Sequence, residues 1–325
     1  MTPAVSVVLN CYNHEDYVGE AIKSVLAQTF PDFELIVIDN GSTDGSREVM
    51  EGFKEERIRL ILHDTNESIS RRLNEGVAAS RGKFVSILYS DDLFLPHKLE
   101  RQVAMFERLG EDYGVVYAPA IRFHQTTGQR WRENSFALSG DMLPAMLDRF
   151  HDGSIDMCSP LIRRECLVRY PFHDDLFADG EMIFFRIAMR WKFHFDPEPV
   201  VALREHDTNR GKVVQKNHDM MMDMWDRLER HEDFPRRFAS NLRALRARAC
   251  LNHAWVAMRM NMTDDEWISR QIRLGVRTQP KQLIRPRALA ALAFSLVPAS
   301  GRVRLNAIAN RIRPVRETAN VVDDY

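Results

Sequence analysis

The chain has 325 residues, of which 45% are hydrophobic and 28% charged, and its formal net charge is −1. This balance excludes a mostly disordered chain and is typical of a globular protein with a sizeable core, in one large domain or one domain with an extension. The four cysteines are far apart and form no CxxC pair. They predict reduced thiols in a cytosolic protein rather than a disulfide framework or a zinc site.

The N-terminal run Val5-Ser-Val-Val-Leu9 is short and strand-like, without the basic segment and longer apolar stretch of a signal peptide. No run reaches the ~18 apolar residues that a membrane-spanning helix needs. The longest candidate, residues 288–299, contains Ser295 and Pro298. Secretion through a signal sequence is therefore not expected, and the sequence predicts a cytoplasmic protein.

Strand and helix patterns alternate through the first 90 residues. Short apolar runs predict strands over 5–9, 35–38, 58–62 and 84–88, and apolar residues at helical spacing predict helices over 17–28, 46–53 and 69–79. Strands separated by such helices form βαβ units in a mostly parallel sheet. Ligands of these sheets bind beyond the carboxyl ends of the strands, where Asn10, Asp39, Asp91 and Asp92 lie.

The pattern is less regular from 113 to 195, with a short strand over 115–117, polar loops and a helix over 182–190. Beyond 217 the pattern is helical throughout. A run of large apolar residues there, Met220, Met221, Met224, Trp225 and Leu228, has helical spacing and favours a core stripe over a cofactor site.

Three strand-end motifs carry candidate chemistry. Asp91 and Asp92 follow a predicted buried strand, and Mg²⁺ and Mn²⁺ prefer carboxylate and phosphate oxygens, so the pair could hold a nucleotide diphosphate through a metal. Asp39 could accept a hydrogen bond from a nucleobase or ribose, while Tyr12 could stack on the base and Asn10 bond its polar edge. Each motif has a purely structural alternative: a helix cap, a turn or loop packing.

Taken in order, these motifs resemble glycosyltransferase family 2. The resemblance covers 4–110 densely and 155–210 loosely, and it is carried by Val5-Ser-Val-Val-Leu-Asn-Cys-Tyr-Asn13, the run from Ala21 to Gly45, Asn66-x-x-Ile-Ser70, Leu73-Asn-x-Gly76, Ala79-x-Arg-Gly-Lys83 and Ser90-Asp-Asp-x-x-x-Pro96. It implies a GT-A fold, an α/β domain with a Rossmann-like, mostly parallel sheet flanked by helices. It also implies an inverting, metal-dependent transfer of a sugar from a nucleotide diphosphate sugar, above all a UDP-sugar, to an acceptor hydroxyl.

The same resemblance implies residue roles. Asn10, Tyr12 and Asp39 would hold the nucleoside, Asp91 would contact ribose or sugar, and Asp92 would ligate Mn²⁺ or Mg²⁺.

Two further candidates lie in less regular motifs. Arg71 or Arg72 would reach the base or the diphosphate, although their register departs from common family patterns. His206 lies in a motif resembling one that closes over the diphosphate, and it would be a second metal ligand or a phosphate donor. Asn209 and Arg210 are weaker candidates in the same stretch.

The catalytic base is expected between two acids. An inverting enzyme needs a carboxylate to take the acceptor's proton. The family places it six residues before the arginine of an apolar-Arg motif, here Arg186, and that register falls on Gly180. We favour Asp179 as the base, with Glu181 as the alternative. A purely structural possibility is that both acids cap the helix.

The C-terminal third is strongly basic. Residues 235–316 contain 17 Lys and Arg against three acids, so the rest of the chain is acidic. Basic residues around the apolar run 288–297 fit an anionic membrane surface on the cytoplasmic face of an inner membrane, next to a glycan or lipid-linked glycan acceptor. The alternative is an extension that packs on the body or on a second copy in a homo-oligomer. Nucleic acid is not expected as a partner, since aromatic residues are sparse here.

The expected organisation is thus a glycosyltransferase domain over 1–215, with a nucleotide-binding half (1–110) and an acceptor half (111–215), and a helical, basic extension over 216–325. The implied setting is bacterial surface polysaccharide or glycoconjugate biosynthesis. Two other functions remain open at this point: a non-catalytic donor-binding or scaffold subunit, and a sugar nucleotidyltransferase. The second normally carries a Gly-rich, Arg-containing loop after its first strand, and Asn10-Cys-Tyr-Asn13 is not such a loop.

Overall fold

The computed structural model describes residues 2–132, 136–149, 155–176, 180–206, 214–262, 264–284 and 286–312. The chain divides into two compact units. One, the sheet unit, comprises 1–143 and 152–209, and the other, the helical unit, comprises 144–151 and 210–325.

The sheet unit contains all described strands: β1 (Val5–Cys11), β2 (Phe33–Asn40), β3 (Ile58–His63), β4 (Phe84–Tyr89), β5 (Leu93–Phe94), β6 (Tyr113–Tyr117), β7 (Ala120–His124), β8 (Arg130–Arg132), β9 (Leu161–Arg163), β10 (Lys192–Phe195) and β11 (Val201–Glu205). Its helices are α1 (Val18–Leu26), α2 (Ser46–Glu51), α3 (Ile69–Ala79), α4 (Lys98–Phe106), α6 (Arg164–Arg169) and α7 (Ile183–Ile187). The four strands predicted before residue 90 and their three helices are confirmed to within a few residues at each end. The helix predicted over 182–190 is shorter.

A seven-stranded sheet forms the centre of this unit, in the order β10-β6-β9-β4-β1-β2-β3. Strands β4, β1, β2 and β3 are parallel, and only β9 runs antiparallel to its neighbours in the described sheet. The predicted mostly parallel α/β sheet is therefore confirmed. The chain moves outward from β1 to β2 and β3 and then returns to β4 on the other side, so β1 and β4 flank the switch point where ligands of such sheets bind.

The strand residues explain this architecture. β1 and β2 are buried along their whole length, which is the pattern of strands covered on both faces. α1 turns Val18, Ala21, Ile22 and Val25 inward, one face of a helical period. α3 begins after Ser68, whose side chain accepts a hydrogen bond from the backbone N–H of Arg71.

A second sheet lies in the same unit, in the order β5-β11-β7-β8. β11 pairs with β5 through Val201 and Ala202 and with β7 along its length. β5 directly follows the Asp91-Asp92 loop and β11 directly precedes His206. This pairing therefore brings together two segments that are more than 100 residues apart in sequence.

The helical unit is built around α9. Its described helices are α5 (Leu143–Arg149, from Pro144 onward), α8 (Val214–Arg230), α9 (Ala239–Arg259), α10 (Asp265–Thr278), α11 (Pro286–Ser295) and α12 (Ala299–Ile312). Apolar residues of α9, α10 and α11 form one core, including Leu251, Met258, Trp267, Ile272 and Ala291. The predicted Met and Trp stripe is partly buried as a core stripe should be, with Met224, Trp225 and Leu228 inside.

The sequence pattern did not indicate that α5 belongs to the helical unit. Its Pro144–Arg149 residues belong to the helical unit, although they lie far from the rest of that unit in sequence. Arg248 of α9 is buried and donates to the carbonyl oxygen of Leu147 at 2.7 Å. Among the described residues, no helix is both long and apolar enough to cross a bilayer.

Candidate active site

The carboxyl ends of β1, β2 and β4 bring three of the predicted site residues to one edge of the sheet. In the ladder, Asn10 lies beside Tyr89, and Cys11 lies beside Asp39. Asp91 follows two residues after Tyr89. Asn10 is 6% exposed, and its Oδ1 atom has no hydrogen-bond partner within the described part of the chain. A buried acceptor without a partner costs free energy, so this edge is poised for a polar ligand.

Asp39 is fully buried and holds the turn that follows β2. Its carboxylate accepts from the backbone N–H of Ser42 at 3.2 Å and forms an ion pair with Arg47 at 3.0 Å. The turn requires a glycine at position 41, where φ is +77° and a Cβ would come within 2.5 Å of the Thr65 backbone. Arg47 is a partner that the sequence analysis missed, although its position in the first turns of α2 is typical of such a pairing.

Tyr12 and Asn13 form the turn after β1. Asn13 has φ of +53°, and its Oδ1 accepts from the backbone N–H of Thr43 at 2.8 Å. Its own N–H donates to Ser42 Oγ at 3.0 Å. The two strand-end turns are therefore tied together, with the partly buried Tyr12 between β1 and Asn13.

His14, Asp91 and His206 form the densest set of possible ligands. One ligand atom from each lies within 4.8 Å of the others, and this is the one such group of three or more among the described residues. His206 Nε2 is 3.2 Å from Asp91 Oδ2, and His14 Nδ1 is 2.7 Å from Ser90 Oγ. Burial alone would raise the pKa of Asp91, but the hydrogen bond with His206 and the charge of His14 bring it below its usual value. The result is an ionised carboxylate facing two imidazoles.

This donor set fits a divalent ion. Carboxylate oxygens suit Mg²⁺ and Mn²⁺ alike, whereas imidazole suits transition metals better than Mg²⁺. An ion bound here would replace the hydrogen bond between His206 and Asp91. The sequence analysis found Asp91 and His206 but missed His14, whose only signal is its place directly after the first strand-end turn.

Asp92 faces away from this cluster. Its carboxylate accepts from the backbone N–H of Arg204 at 2.9 Å and from Cys158 Sγ at 3.5 Å. Burial, with the charges of Asp91 and Asp156, raises its pKa well above the usual range. Among the described residues, the group that could hold a metal ion contains Asp91 and His206 but not Asp92, whereas the sequence analysis assigned the metal to Asp92 and His206 and a hydroxyl contact to Asp91. The two acids adjoin in sequence, and only the direction of each side chain separates them.

Arg204 ties β11 to the loop that carries both acids. It is buried, donates from Nε to the carbonyl oxygen of Asp91 at 2.9 Å, and hydrogen-bonds Gln125 and Glu20 through its other nitrogens. Its guanidinium also lies 5.1 Å from the ring of Tyr17. Since His206 follows two residues later, this network fixes the histidine opposite Asp91.

The remaining predicted residues have different placements. Arg71 is 61% exposed and pairs with Glu67 on its own helix at 3.2 Å. Arg72 is buried, and it donates to Asn40 Oδ1 at 2.8 Å and to the Thr65 carbonyl oxygen at 3.1 Å. It therefore supports the same turn as Asp39.

The predicted base lies at the border of the described chain. Asp179, Asn209 and Arg210 lie outside the described residues. Glu181 lies in the 3-10 turn Gly180–Met182, and its side chain is likewise outside the description. Arg186 of the apolar-Arg motif is buried and donates to the carbonyl oxygen of Pro171 at 2.7 Å.

Solved structures share this fold. The chain aligns with Staphylococcus aureus TarS in complex with UDP-GlcNAc, with a TM-score of 0.65 and 15% identity over 96% of this chain and 93% of that one. It aligns with the mannosyltransferase PcManGT from Pyrobaculum calidifontis in complex with GDP-Man and Mn²⁺, with a TM-score of 0.59 and 15% identity over 97% and 89%. At these identities the likeness shows the fold, and the expected GT-A fold is confirmed.

Sequence relatives agree. The putative teichuronic acid biosynthesis glycosyltransferase TuaG of Bacillus subtilis is 36% identical over 109 residues, 33% of this chain and 43% of TuaG. The first curated relatives are matched over 33% to 38% of their own length. The model of the family described as Glycosyl transferase family 2 matches residues 6–170. This match covers half of the chain, and the chain therefore belongs to glycosyltransferase family 2.

Proposed function

We propose that this glycosyltransferase is metal-dependent and inverting, and that it moves a sugar from a nucleotide diphosphate sugar, most readily a UDP-sugar, to an acceptor hydroxyl. The observation that carries the proposal is the His14, Asp91 and His206 cluster beyond the ends of β1 and β4. An ionised carboxylate and two imidazoles that converge at the switch point of a parallel sheet form a site for an ion and the anionic group bound to it.

Asp91 and His206, with His14 beside them, would hold Mn²⁺ or Mg²⁺, and the imidazoles favour Mn²⁺. The bound ion supplies positive charge against the departing diphosphate, the kind of electrostatic stabilisation that is often the largest catalytic contribution. PcManGT was solved with GDP-Man and Mn²⁺, which supports a divalent ion in this fold.

Asn10, Tyr12 and Asp39 would hold the nucleoside. The unpartnered Asn10 Oδ1 is a ready acceptor for a base or ribose donor. Asp39 already binds Arg47 and Ser42, but a carboxylate has about four acceptor positions, so contacts to a nucleoside remain available after small movements. Arg71 is exposed and, by turning from Glu67, would reach a phosphate or the base.

A carboxylate of the 179–181 segment would act as general base, with Asp179 favoured over Glu181. It takes the acceptor's proton as the hydroxyl attacks the anomeric carbon opposite the departing nucleotide. The buried Arg186 anchors the helix that follows this segment. No covalent nucleophile is required for a single displacement.

The acceptor is proposed to be a glycan or lipid-linked glycan in bacterial surface polysaccharide or glycoconjugate assembly, handled in the cytoplasm. TuaG supports this setting by its name, and TarS supports a UDP-sugar donor by its bound UDP-GlcNAc. Within the glycosyltransferase domain over 1–215, the half over 1–110 is proposed to bind the donor and the half over 111–215 the acceptor, with 216–325 as a helical, basic extension.

The test is a thermal-shift panel of nucleoside diphosphates and sugar nucleotides, with and without Mn²⁺. A ligand that binds the native state at 100 times its Kd adds about 2.7 kcal/mol to the free energy of unfolding. We expect the largest shift with UDP compounds and Mn²⁺ together, lost in His206→Ala and kept in Asp92→Asn.

A response that needs no metal and survives His206→Ala would contradict the assignment of the site. Metal-dependent donor binding without nucleotide release, with any glycan acceptor supplied, would instead favour a non-catalytic donor-binding subunit.

A further inference from the structure

The exposed large apolar side chains are concentrated at one end of the chain. Of the eleven found among the described residues, six lie between positions 284 and 308: Ile284, Leu289, Leu296, Val303, Leu305 and Ile308. Two of them, Ile284 and Leu296, are at least 80% exposed. We call these six residues the C-terminal apolar surface. Single exposed apolar residues are ordinary, but such a concentration is typical of an interaction surface.

The two helices that carry most of this surface leave large apolar side chains exposed. Among its described residues, α11 buries Ala288 and Ala291 in the core of the helical unit and packs Leu292 and Phe294 partly against that core. The buried side chains of α12 in the described part of the chain are polar, namely Arg302 and Asn306. Arg302 pairs with Asp265, and Asn306 Nδ2 donates to the Met258 carbonyl oxygen at 2.7 Å.

Specific polar contacts therefore fix the orientation of α12. Turning its apolar side inward would leave Arg302 and Asn306 without these partners, so rotation of the helix cannot hide the apolar residues. Their exposure is a built feature of the fold.

The same stretch has a one-sided charge. Between Glu266 and Glu317 there is no acidic residue, while eleven arginines and lysines occur. Among them, Arg273, Arg277, Lys281 and Arg304 have exposed side chains within the described residues. Exposed leucine, valine and isoleucine side chains together with exposed basic residues favour a surface that is attracted to anionic groups and then buries apolar area.

We propose that the C-terminal apolar surface and its basic residues dock on an anionic lipid membrane, with α11 and α12 lying in the plane of the headgroups. A second copy of this chain fits the surface less well, because a symmetric contact would place positive charges against each other. A neutral apolar partner would leave the charges unexplained.

The proposal rests on the proposed function in one respect: membrane docking would bring the enzyme to a lipid-linked acceptor. Docking itself needs neither donor nor metal, so its test is independent of the active site. Failure to bind vesicles would leave the thermal-shift result untouched, and failure of donor binding would leave vesicle binding untouched.

The experiment is co-sedimentation of the full chain with vesicles of phosphatidylcholine mixed with phosphatidylglycerol, and with pure phosphatidylcholine. We expect binding to the anionic vesicles that weakens as salt is raised. Each basic residue near such a surface contributes about 1 kcal/mol, so the triple variant Arg277→Glu, Lys281→Glu, Arg304→Glu should bind at least about 100-fold more weakly. The variant Leu289→Ser, Leu296→Ser, Ile308→Ser should lose the part of the binding that resists salt.

Matched controls come from the sheet unit. The variant Lys23→Glu, Lys54→Glu, Arg108→Glu makes the same change in net charge at exposed positions, and Val168→Ser removes an apolar residue that is 58% exposed, close to the 59% of Ile308. Both controls should bind vesicles like the parent chain, and circular dichroism should show that all variants are folded.

Three outcomes would overturn the proposal. One is equal binding to neutral and anionic vesicles. Another is equal loss of binding in the sheet-unit controls. The third is a concentration-dependent dimer, seen by sedimentation velocity, that the Leu289, Leu296 and Ile308 substitutions dissociate, because the surface would then be an interface between copies.

Discussion

The two units of this chain each bring histidines close together, and the contacts of the rings differ. In the sheet unit, His206 faces the carboxylate of Asp91, with His14 within ligand distance. In the helical unit, His218 is buried, with Nδ1 2.8 Å from His253 Nδ1 and Nε2 2.9 Å from Gln271 Oε1.

The contacts of the rings distinguish a candidate ligand site in the sheet unit from a structural cluster in the helical unit. Both ring nitrogens of His218 are occupied by protein groups, and burial lowers its pKa, which favours the neutral ring. In the sheet unit, one carboxylate and two imidazoles converge on a point. Burial of a histidine is thus no sign of function by itself, whereas a converging anion is.

The largest expected effect comes from breaking the sheet-unit cluster at its carboxylate. Asp91→Asn removes the anion that faces both imidazoles, so transferase activity should fall about 10³-fold. Asp92→Asn is the matched control, because its amide oxygen can accept from the Arg204 N–H and its amide nitrogen can donate to the Cys158 sulfur. Sugar transfer measured with Mn²⁺ should leave this control within about tenfold of the parent. A larger loss of activity in Asp92→Asn than in Asp91→Asn would instead indicate Asp92 as the metal ligand.

A smaller effect is expected from loosening the support of that cluster. Arg204→Lys keeps the charge but cannot reproduce the forked contacts to the Asp91 carbonyl oxygen and Glu20, so His206 should lose its fixed position. We expect kcat to fall about 10²-fold, with a weaker apparent affinity for Mn²⁺ in a titration. The control is Arg122→Lys. It alters the ion pair between Arg122 of β7 and Glu205, the neighbour of Arg204 on β11. Equal losses in both variants would show that Arg204 has no special role.

The smallest effect belongs to the helical cluster and concerns stability. The pKa of His218 is lower in the folded chain than its ordinary value of 6.5, so below that pH the unfolded chain binds more protons. The free energy of unfolding should therefore fall as pH drops below 6.5, by at most about 1.4 kcal/mol per pH unit for this group. His218→Gln can keep both hydrogen bonds without titrating, so its loss in acid should be smaller by about 1 kcal/mol.

Denaturant unfolding followed by Trp fluorescence checks this, since the Trp267 ring lies 5.4 Å from His218. Transfer activity at neutral pH should be the same in the parent and the variant. If the free energy of unfolding fell equally in acid in both chains, His218 would not be the group that causes the fall.

Much of the sheet unit could be predicted from sequence because its signals are local. Buried parallel strands are continuous apolar runs, as at 5–9 and 35–38, and the turn after β2 needs its Gly41. The short strands β5, β7, β8, β9, β10 and β11 were not predicted. Two to five residues carry little periodicity, and their partners are distant in sequence.

The sequence by itself determined the fold class, the family and which polar residues stand at the strand ends. Apolar periodicity and turn residues, which depend on neighbours along the chain, indicated the α/β class and the strand ends, and the resemblance of the ordered motifs indicated the family. Tertiary structure alone decided that Asp91 rather than Asp92 faces the imidazoles, that His14 joins them, and that α5 belongs to the helical unit. Side-chain direction after a strand is set by contacts from elsewhere, here Arg204 and Cys158. The Arg204 contact exists only once β11 has paired with β5 and β7, and Cys158 lies just before β9, which pairs with β4.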